Sequence, residues 1–252
     1  MVTVSLENLS VGYREPLLEG LQLQMCGGTL TALLGLNGTG KSTLLKTLCG
    51  TLKPLGGEIK VMGKPLGSYS RSALASLVGV VLTERTAAGG MSLYDLVAMG
   101  RYPHTDFLGS LKEADRKIIA DSMEAVGIAG KASAPLCFLS DGERQKGFIA
   151  KALAQECPIV ILDEPTAFLD IKSRYETMEL LSHLARAKDM SILLSTHDLD
   201  TAVRFADTLW VADSQEHSVH CGTAANLAAR GIFEKVFSAK VAATVYSSLS
   251  GK

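Results

Sequence analysis

The sequence predicts an α/β fold built on a parallel sheet, with an antiparallel β edge and an inserted α-helical subdomain. Three observations carry that expectation. Four apolar runs, at residues 30–34 (LTALL), 77–82 (LVGVVL), 158–162 (PIVIL) and 190–194 (MSILL), are short and nearly unbroken, as strands covered on both faces are. Each run ends in a polar or glycine-bearing turn, and helical stretches lie between them, the alternation that builds a parallel sheet. Between about residues 90 and 155 the strand signal disappears.

Taken in order, the first thirty residues alternate apolar with polar, through Val2, Val4 and Leu6 and then Leu21, Leu23 and Met25. That period suits antiparallel edge strands packed on one side. The run at 30–34 opens the parallel sheet and passes through a glycine-rich turn into the apolar-periodic Leu44, Leu45 and Leu48. After the run at 77–82, residues 92–99, 111–126 and 141–154 read as helices, and Ser92 with Asp95 three positions on makes an N-terminal cap pair. The runs at 158–162 and 190–194 return to the sheet. No repeat or low-complexity linker divides the chain. Residues 1–252 are therefore expected to form one unit, with a core over about 1–84 and 156–252 and a helical subdomain over about 85–155.

Composition excludes several function classes. The 252 residues are 47% hydrophobic, ample for a buried core. Lys and Arg number 25 against 26 Asp and Glu, a formal charge of −1, which argues against a polybasic membrane clamp and against a nucleic-acid partner. Five cysteines, without CxxC or Cys/His spacing, argue against a disulfide framework and a zinc site, and for a reducing compartment. The opening MVTVSLENLS lacks a basic region followed by an apolar core, and no apolar run approaches the ~18 residues of a spanning helix. A cytoplasmic chain that meets any membrane through a partner is expected.

The chemistry begins after the first buried run. Gly35, Leu36, Asn37, Gly38, Thr39, Gly40, Lys41, Ser42 and Thr43 fit G-x-x-x-x-G-K-[ST] between a strand and a helix. Glycines let the backbone curl so that successive N–H groups face phosphate oxygens, and the following helix adds the positive end of its dipole. Lys41 is expected to reach the β- and γ-phosphates of a nucleotide, and the Ser42 hydroxyl to ligate Mg²⁺. The glycine spacing does not fit G-x-G-x-x-G, so dinucleotide binding is disfavoured. Downstream, the run at 158–162 ends in two carboxylates: Asp163 can hold Mg²⁺ opposite Ser42, and Glu164 can orient and polarise an attacking water. The next run ends at Thr196-His197-Asp198, at the sheet edge where phosphates must lie. None of the asparagines, Asn8, Asn37 and Asn226, is followed by an N-K-x-D guanine reader, which favours ATP.

In that order the motifs resemble the ATP-binding cassette ATPases of ABC transporters over essentially the whole chain: Tyr13 in VGYREPLLEGL, Gly35 to Thr43, Leu139-Ser-Asp-Gly-Glu143, Ile159 to Glu164, Ala167-Phe-Leu-Asp170 and His197. The resemblance implies a RecA-like P-loop NTPase core and an ATPase that uses Mg²⁺. It implies that Tyr13 stacks on adenine, that His197 contacts the γ-phosphate, and that Lys41, Glu164 and His197 carry catalysis. It implies that Ser140, Asp141, Gly142 and Glu143 form a signature loop binding the γ-phosphate held by a second copy in a head-to-tail homodimer, with Asp170 in the loop crossing between the sites. A helix N-terminus with Ser140 and Gly142 offers anion-binding donors without a lysine of its own.

Three departures stand out. The family's LSGGQ is here LSDGE, and an acid near polyphosphate is repulsive unless it turns away; Asp141 is expected to cap its own helix. Where a glutamine should touch Mg²⁺ the chain has Thr83 and Glu84, of which Glu84 has the greater reach as an oxygen ligand. Phe168 stands in the crossing loop where a small residue is common, and is expected to pack at the dimer seam.

The segment GMSLYDLVAMGRYPH (90–104) is similar to cassettes serving uptake of ferric siderophores, haem and cobalamin, in which G-R-x-P follows the first helix of the inserted subdomain. Gly100, Arg101 and Pro103 also have an ordinary explanation as a helix ending. The stretch after His197 is expected to leave little room for an appended regulatory domain. The resemblance implies integral membrane permease subunits as partners, an extracytoplasmic substrate-binding protein reached indirectly, and a peripheral place on the cytoplasmic face of the inner or plasma membrane. A separate-subunit exporter and a non-transport ATP-dependent dimer switch are the alternatives.

Overall fold

The computed structural model describes residues 1–82, 90–105 and 109–250. The chain begins with β1 (Val2–Gly12) and β2 (Pro16–Cys26), then β3 (Leu30–Leu34), α1 (Lys41–Leu48), β4 (Gly56–Val61), β5 (Lys64–Pro65), α2 (Arg71–Ala75) and β6 (Val78–Val81). Helices follow: α3 (Leu93–Ala98), α4 (Glu113–Ala125) and α5 (Asp141–Ala154). The sheet then resumes with β7 (Ile159–Leu162), α6 (Ile171–Ala187), β8 (Ser191–Ser195), α7 (Leu199–Phe205), β9 (Thr208–Asp213) and β10 (Ser218–Gly222), before α8 (Ala224–Ala229), α9 (Ile232–Val236) and α10 (Ala239–Ser250).

The antiparallel strands expected from the N-terminal alternation form a sheet of their own, in the order β2-β1-β4-β5. The second sheet has the order β10-β9-β3-β8-β7-β6, with β9, β3, β8, β7 and β6 parallel and β10 antiparallel at its edge. Its inner strands are largely apolar because neighbouring residues enter different cores. Ala32, Leu34, Val160, Leu162, Ile192 and Leu194 pack with helices α3 to α7 on one face. Leu33, Ile159, Ile161 and Leu193 pack with α1 and the antiparallel sheet on the other. The side-chain period of two along each strand makes both assignments at once.

Between β6 and β7 the helices α3, α4 and α5 pack through Leu93, Leu96, Val97, Ile119, Met123 and Ile149. The Ser92–Asp95 pair is a full capping box, the Ser92 hydroxyl accepting from Asp95 N–H and the Asp95 carboxylate accepting from Ser92 N–H at 3.1 Å. Gly100 lies in a 3₁₀ turn (Met99–His104), and a Cβ there would stand 2.2 Å from the Lys151 carbonyl oxygen on α5. Arg101, buried beside it, donates through Nε to Asp115 Oδ1 (2.9 Å) and through Nη1 to the Ala154 carbonyl (2.6 Å) and Glu156 Oε2 (2.8 Å). The G-R pair therefore has work inside the fold: close approach of one backbone to a helix, and a staple joining α4 to the exit of α5.

Candidate active site

Three neighbouring strands, in the order β3-β8-β7, deliver the chemistry at their carboxyl ends, where open parallel sheets form a crevice. From β3 the chain turns through residues 35–40 into α1. Gly38 (φ 81) and Gly40 (φ 92) hold left-handed backbone that a side chain would strain. Gly40 is the N-cap of α1, so the helix's unpaired N–H groups open toward the loop. Lys41, buried to 8% exposure, donates through Nζ to the Gly35 carbonyl (2.8 Å) and the Leu36 carbonyl (3.0 Å). Burial pushes its ammonium below the usual lysine range, opposed by the charges of Glu164 and Asp163. The loop's lysine and the two carboxylates thus share one electrostatic site.

From β7 come the carboxylates. Asp163 Oδ1 accepts from the Ser195 hydroxyl at 2.6 Å and from the Ser42 hydroxyl at 3.5 Å. The Glu164 N–H donates to the same Ser195 oxygen at 2.9 Å. Glu164 has a left-handed φ of 50°, and its Oε2 lies 2.8 Å from His197 Nδ1, beyond the end of β8. Lys41, Ser42, Asp163, Glu164 and His197 are therefore brought together. A cleft of about 410 Å³ beside them is lined by Asn37, Glu164, Phe168, Arg174, His197 and Asp198 among others. Ser42 and Asp163 present hard oxygens converging from facing elements, a donor set that fits Mg²⁺. Thr83 and Glu84, expected near the same metal, lie outside the described residues.

The other motif residues take separate places. Tyr13 is exposed in the turn between β1 and β2. Asp170 is the N-cap of α6, accepting from the Ser173 N–H and hydroxyl at 2.9 Å each, which holds its carboxyl below the usual range. Phe168 is 66% exposed with φ 67. At the signature, the cap expected of Asp141 belongs to Ser140. The Ser140 hydroxyl accepts from the Glu143 N–H (3.3 Å), and Glu143 Oε2 accepts from the Ser140 N–H (3.0 Å). The reason is S-x-x-E, the capping-box spacing, which seats the hydroxyl on the third helical N–H. Asp141 becomes the first helical residue, its Oδ1 3.7 Å from Arg144 Nη1. Gly142 faces α6, where an added Cβ would meet Ser173 Oγ at 3.4 Å.

Ser195 is the participant that sequence reasoning missed. Its signal was a lone polar residue ending a buried strand next in the sheet to the one bearing the carboxylates.

Comparison with known proteins places this geometry among relatives. The family model described as ABC transporter matches residues 18–167. An uncharacterised ABC transporter ATP-binding protein of Methanocaldococcus jannaschii is 46% identical over 81% of this chain and 70% of its own length. The iron(3+)-hydroxamate import ATP-binding protein FhuC of Bacillus subtilis is 34% identical over 94% and 88% respectively. Among solved structures, CbiO1 of Clostridium perfringens, part of the ABC transporter complex CbiONQ, superposes with a TM-score of 0.80 at 31% identity, covering 93% of this chain and 94% of its own.

Proposed function

Because the chain belongs to the ABC transporter family and is similar to the ATP-binding subunits of its importers, we propose that it hydrolyses ATP to drive uptake through separate membrane subunits. The observation that carries the reading is the Glu164–His197 contact of 2.8 Å beside the Asp163–Ser42 pair, at the mouth of the phosphate loop. A water on ATP's γ-phosphate needs a base and a group that holds the base in place. Glu164 supplies the carboxylate, and His197 orients it. Lys41 and the N–H groups of the loop and α1 neutralise the β- and γ-phosphates. Mg²⁺, held by Ser42 and Asp163, supplies charge neutralisation of the phosphates when bound.

The second half of the phosphate contact comes from another copy. With the Ser140 hydroxyl and the Glu143 N–H committed to the capping box, the N–H groups of Asp141 and Gly142 are the donors that α5 offers to a γ-phosphate. The resulting homodimer is head to tail. It closes on two nucleotides and opens on hydrolysis, moving permease subunits. No helix among the described residues is long and apolar enough to cross a membrane, which fits a subunit that acts on separate permeases. For cargo, the similarity to an iron(3+)-hydroxamate import protein and the G-R-x-P segment support a ferric siderophore or a chelate of that class, such as haem or cobalamin.

The deciding experiment is Glu164→Gln. It is expected to cut kcat by at least about 100-fold, as loss of a general base does, and to accumulate an ATP-bound dimer on size-exclusion chromatography with light scattering. A variant that stays monomeric in ATP, or that hydrolyses at the parent rate, contradicts the mechanism.

A further inference from the structure

We propose that Ser195 is a positioning residue for hydrolysis, fixing Asp163 and Glu164 as a rigid pair; the inference rests on the ATPase reading above. Ser195 is fully buried at the last position of β8. The parallel register sets Leu162 opposite Leu194, so the next residue on each strand, Asp163 and Ser195, meet at the sheet edge. A serine hydroxyl has one proton and two lone pairs. The proton goes to Asp163 Oδ1 at 2.6 Å, and a lone pair takes the Glu164 N–H at 2.9 Å.

The two bonds do different things. The first fixes the rotation of the Asp163 carboxylate, whose Oδ1 also faces Ser42. The second anchors the backbone where Glu164 departs with φ 50, a conformation unfavourable for a residue with a Cβ. That turn carries the Glu164 carboxylate to His197. A buried serine could satisfy itself on a strand carbonyl; this one spends both functions on the two consecutive carboxylate residues. Its strand neighbours Ile192, Leu193 and Leu194 are apolar, so the hydroxyl is the one polar side-chain group in that part of the strand. One hydroxyl thus ties the metal-side carboxylate and the water-side carboxylate to a single point.

The test compares Ser195→Thr with Ser195→Val, side chains of equal size that differ in the hydroxyl, alongside Ser195→Ala. We expect kcat to fall about 10–100-fold in the Ala and Val variants, the usual cost of losing a group that orients a metal ligand, and to recover at least tenfold in Thr relative to Val. ATP affinity measured in EDTA with a fluorescent nucleotide is expected to stay within about twofold of the parent in all three, since removal of a transition-state interaction lowers kcat alone. Equal kcat in Thr and Val overturns the proposal. If the added methyl prevents folding of those two, Ser195→Ala decides: kcat within twofold of the parent, or kcat and EDTA affinity falling together, overturns it. A parent that hydrolyses ATP beside an unaltered Ser195→Ala variant removes this inference alone. A parent that does not hydrolyse ATP removes the ATPase reading and this inference with it.

Discussion

Glu143 shows how one carboxylate can serve structure in a place that resembles a ligand site. It accepts from the Ser140 N–H and from the Lys131 ammonium, and these bonds, the lysine's first, hold its pKa down from the usual 4.5 to about 2. A carboxyl whose folded value is depressed contributes stability above its unfolded value and loses it as pH falls through the folded one. Parent protein is therefore expected to resist urea better than Glu143→Gln at pH 7. That advantage should shrink below pH 4.5 and vanish near pH 2. An advantage of the same size at pH 3 and pH 7 would remove the Lys131–Glu143 pair as its cause. The same residue marks a limit of reading single positions. Lys41, Asp163, Glu164 and His197 could be singled out because phosphate chemistry restricts which residue types suit such a loop, and the fold brings them together. The cap expected of Asp141 fell to Ser140 because S-x-x-E is both a capping box and part of a signature, and the local backbone decides which side chain caps. Ser195 was visible only as a polar residue ending a buried strand, because its two bonds depend on the register of two strands.

Among the elements, β3, β6, β7 and β8 were legible because an unbroken apolar run has few other uses, whereas the parallel strand β9, equally buried, went unread. Strands β4, β5 and β10 escaped notice because each is largely exposed or half-buried and carries no apolar run. The helix α6 repeats Met178, Leu181, Leu184 and Ala185 on its buried face, a signal visible in principle in the 3.6-residue period. The G-R-x-P segment gained a physical account only from packing. A methyl at Gly100 would need the 3₁₀ turn and the last turns of α5 to separate, since its nearest neighbour is backbone at 2.2 Å rather than a flexible side chain. Gly100→Ala is expected to lower stability by about 1–3 kcal/mol, the usual cost of overpacking, read as a lower urea midpoint at unchanged m. Because α5 begins at the signature, the same variant should weaken ATP-driven dimerisation while ATP affinity of the monomer is kept. An unchanged midpoint would show that the turn absorbs the methyl.

At the scale of the whole molecule, the order of motifs identified the family before any contact was known, because each motif must occupy a fixed place around one nucleotide. What the order could not show is the chemistry of the surface that meets a second copy. Phe168 is 66% exposed and Ile171 74%, on either side of the loop and cap that carry Asp170, and Phe168 borders the cleft that holds Glu164 and His197. Large apolar side chains left in water beside such a cleft favour a surface that becomes covered. In the head-to-tail dimer proposed above, this loop crosses between the two sites, so closure would bury both phenylalanines. Burying one phenylalanine is worth about 1.5–3 kcal/mol, so losing it should weaken the dimer by at least about tenfold. Phe168→Ala in the Glu164→Gln background is therefore expected to raise the ATP-dependent dimer dissociation constant by that factor in analytical ultracentrifugation. Nucleotide binding by the isolated monomer should stay at the parent value, because Phe168 stands outside the phosphate loop. A dimer of unchanged strength would place Phe168 away from the seam, and leave Ile171 and the α5 N-terminus to carry the contact.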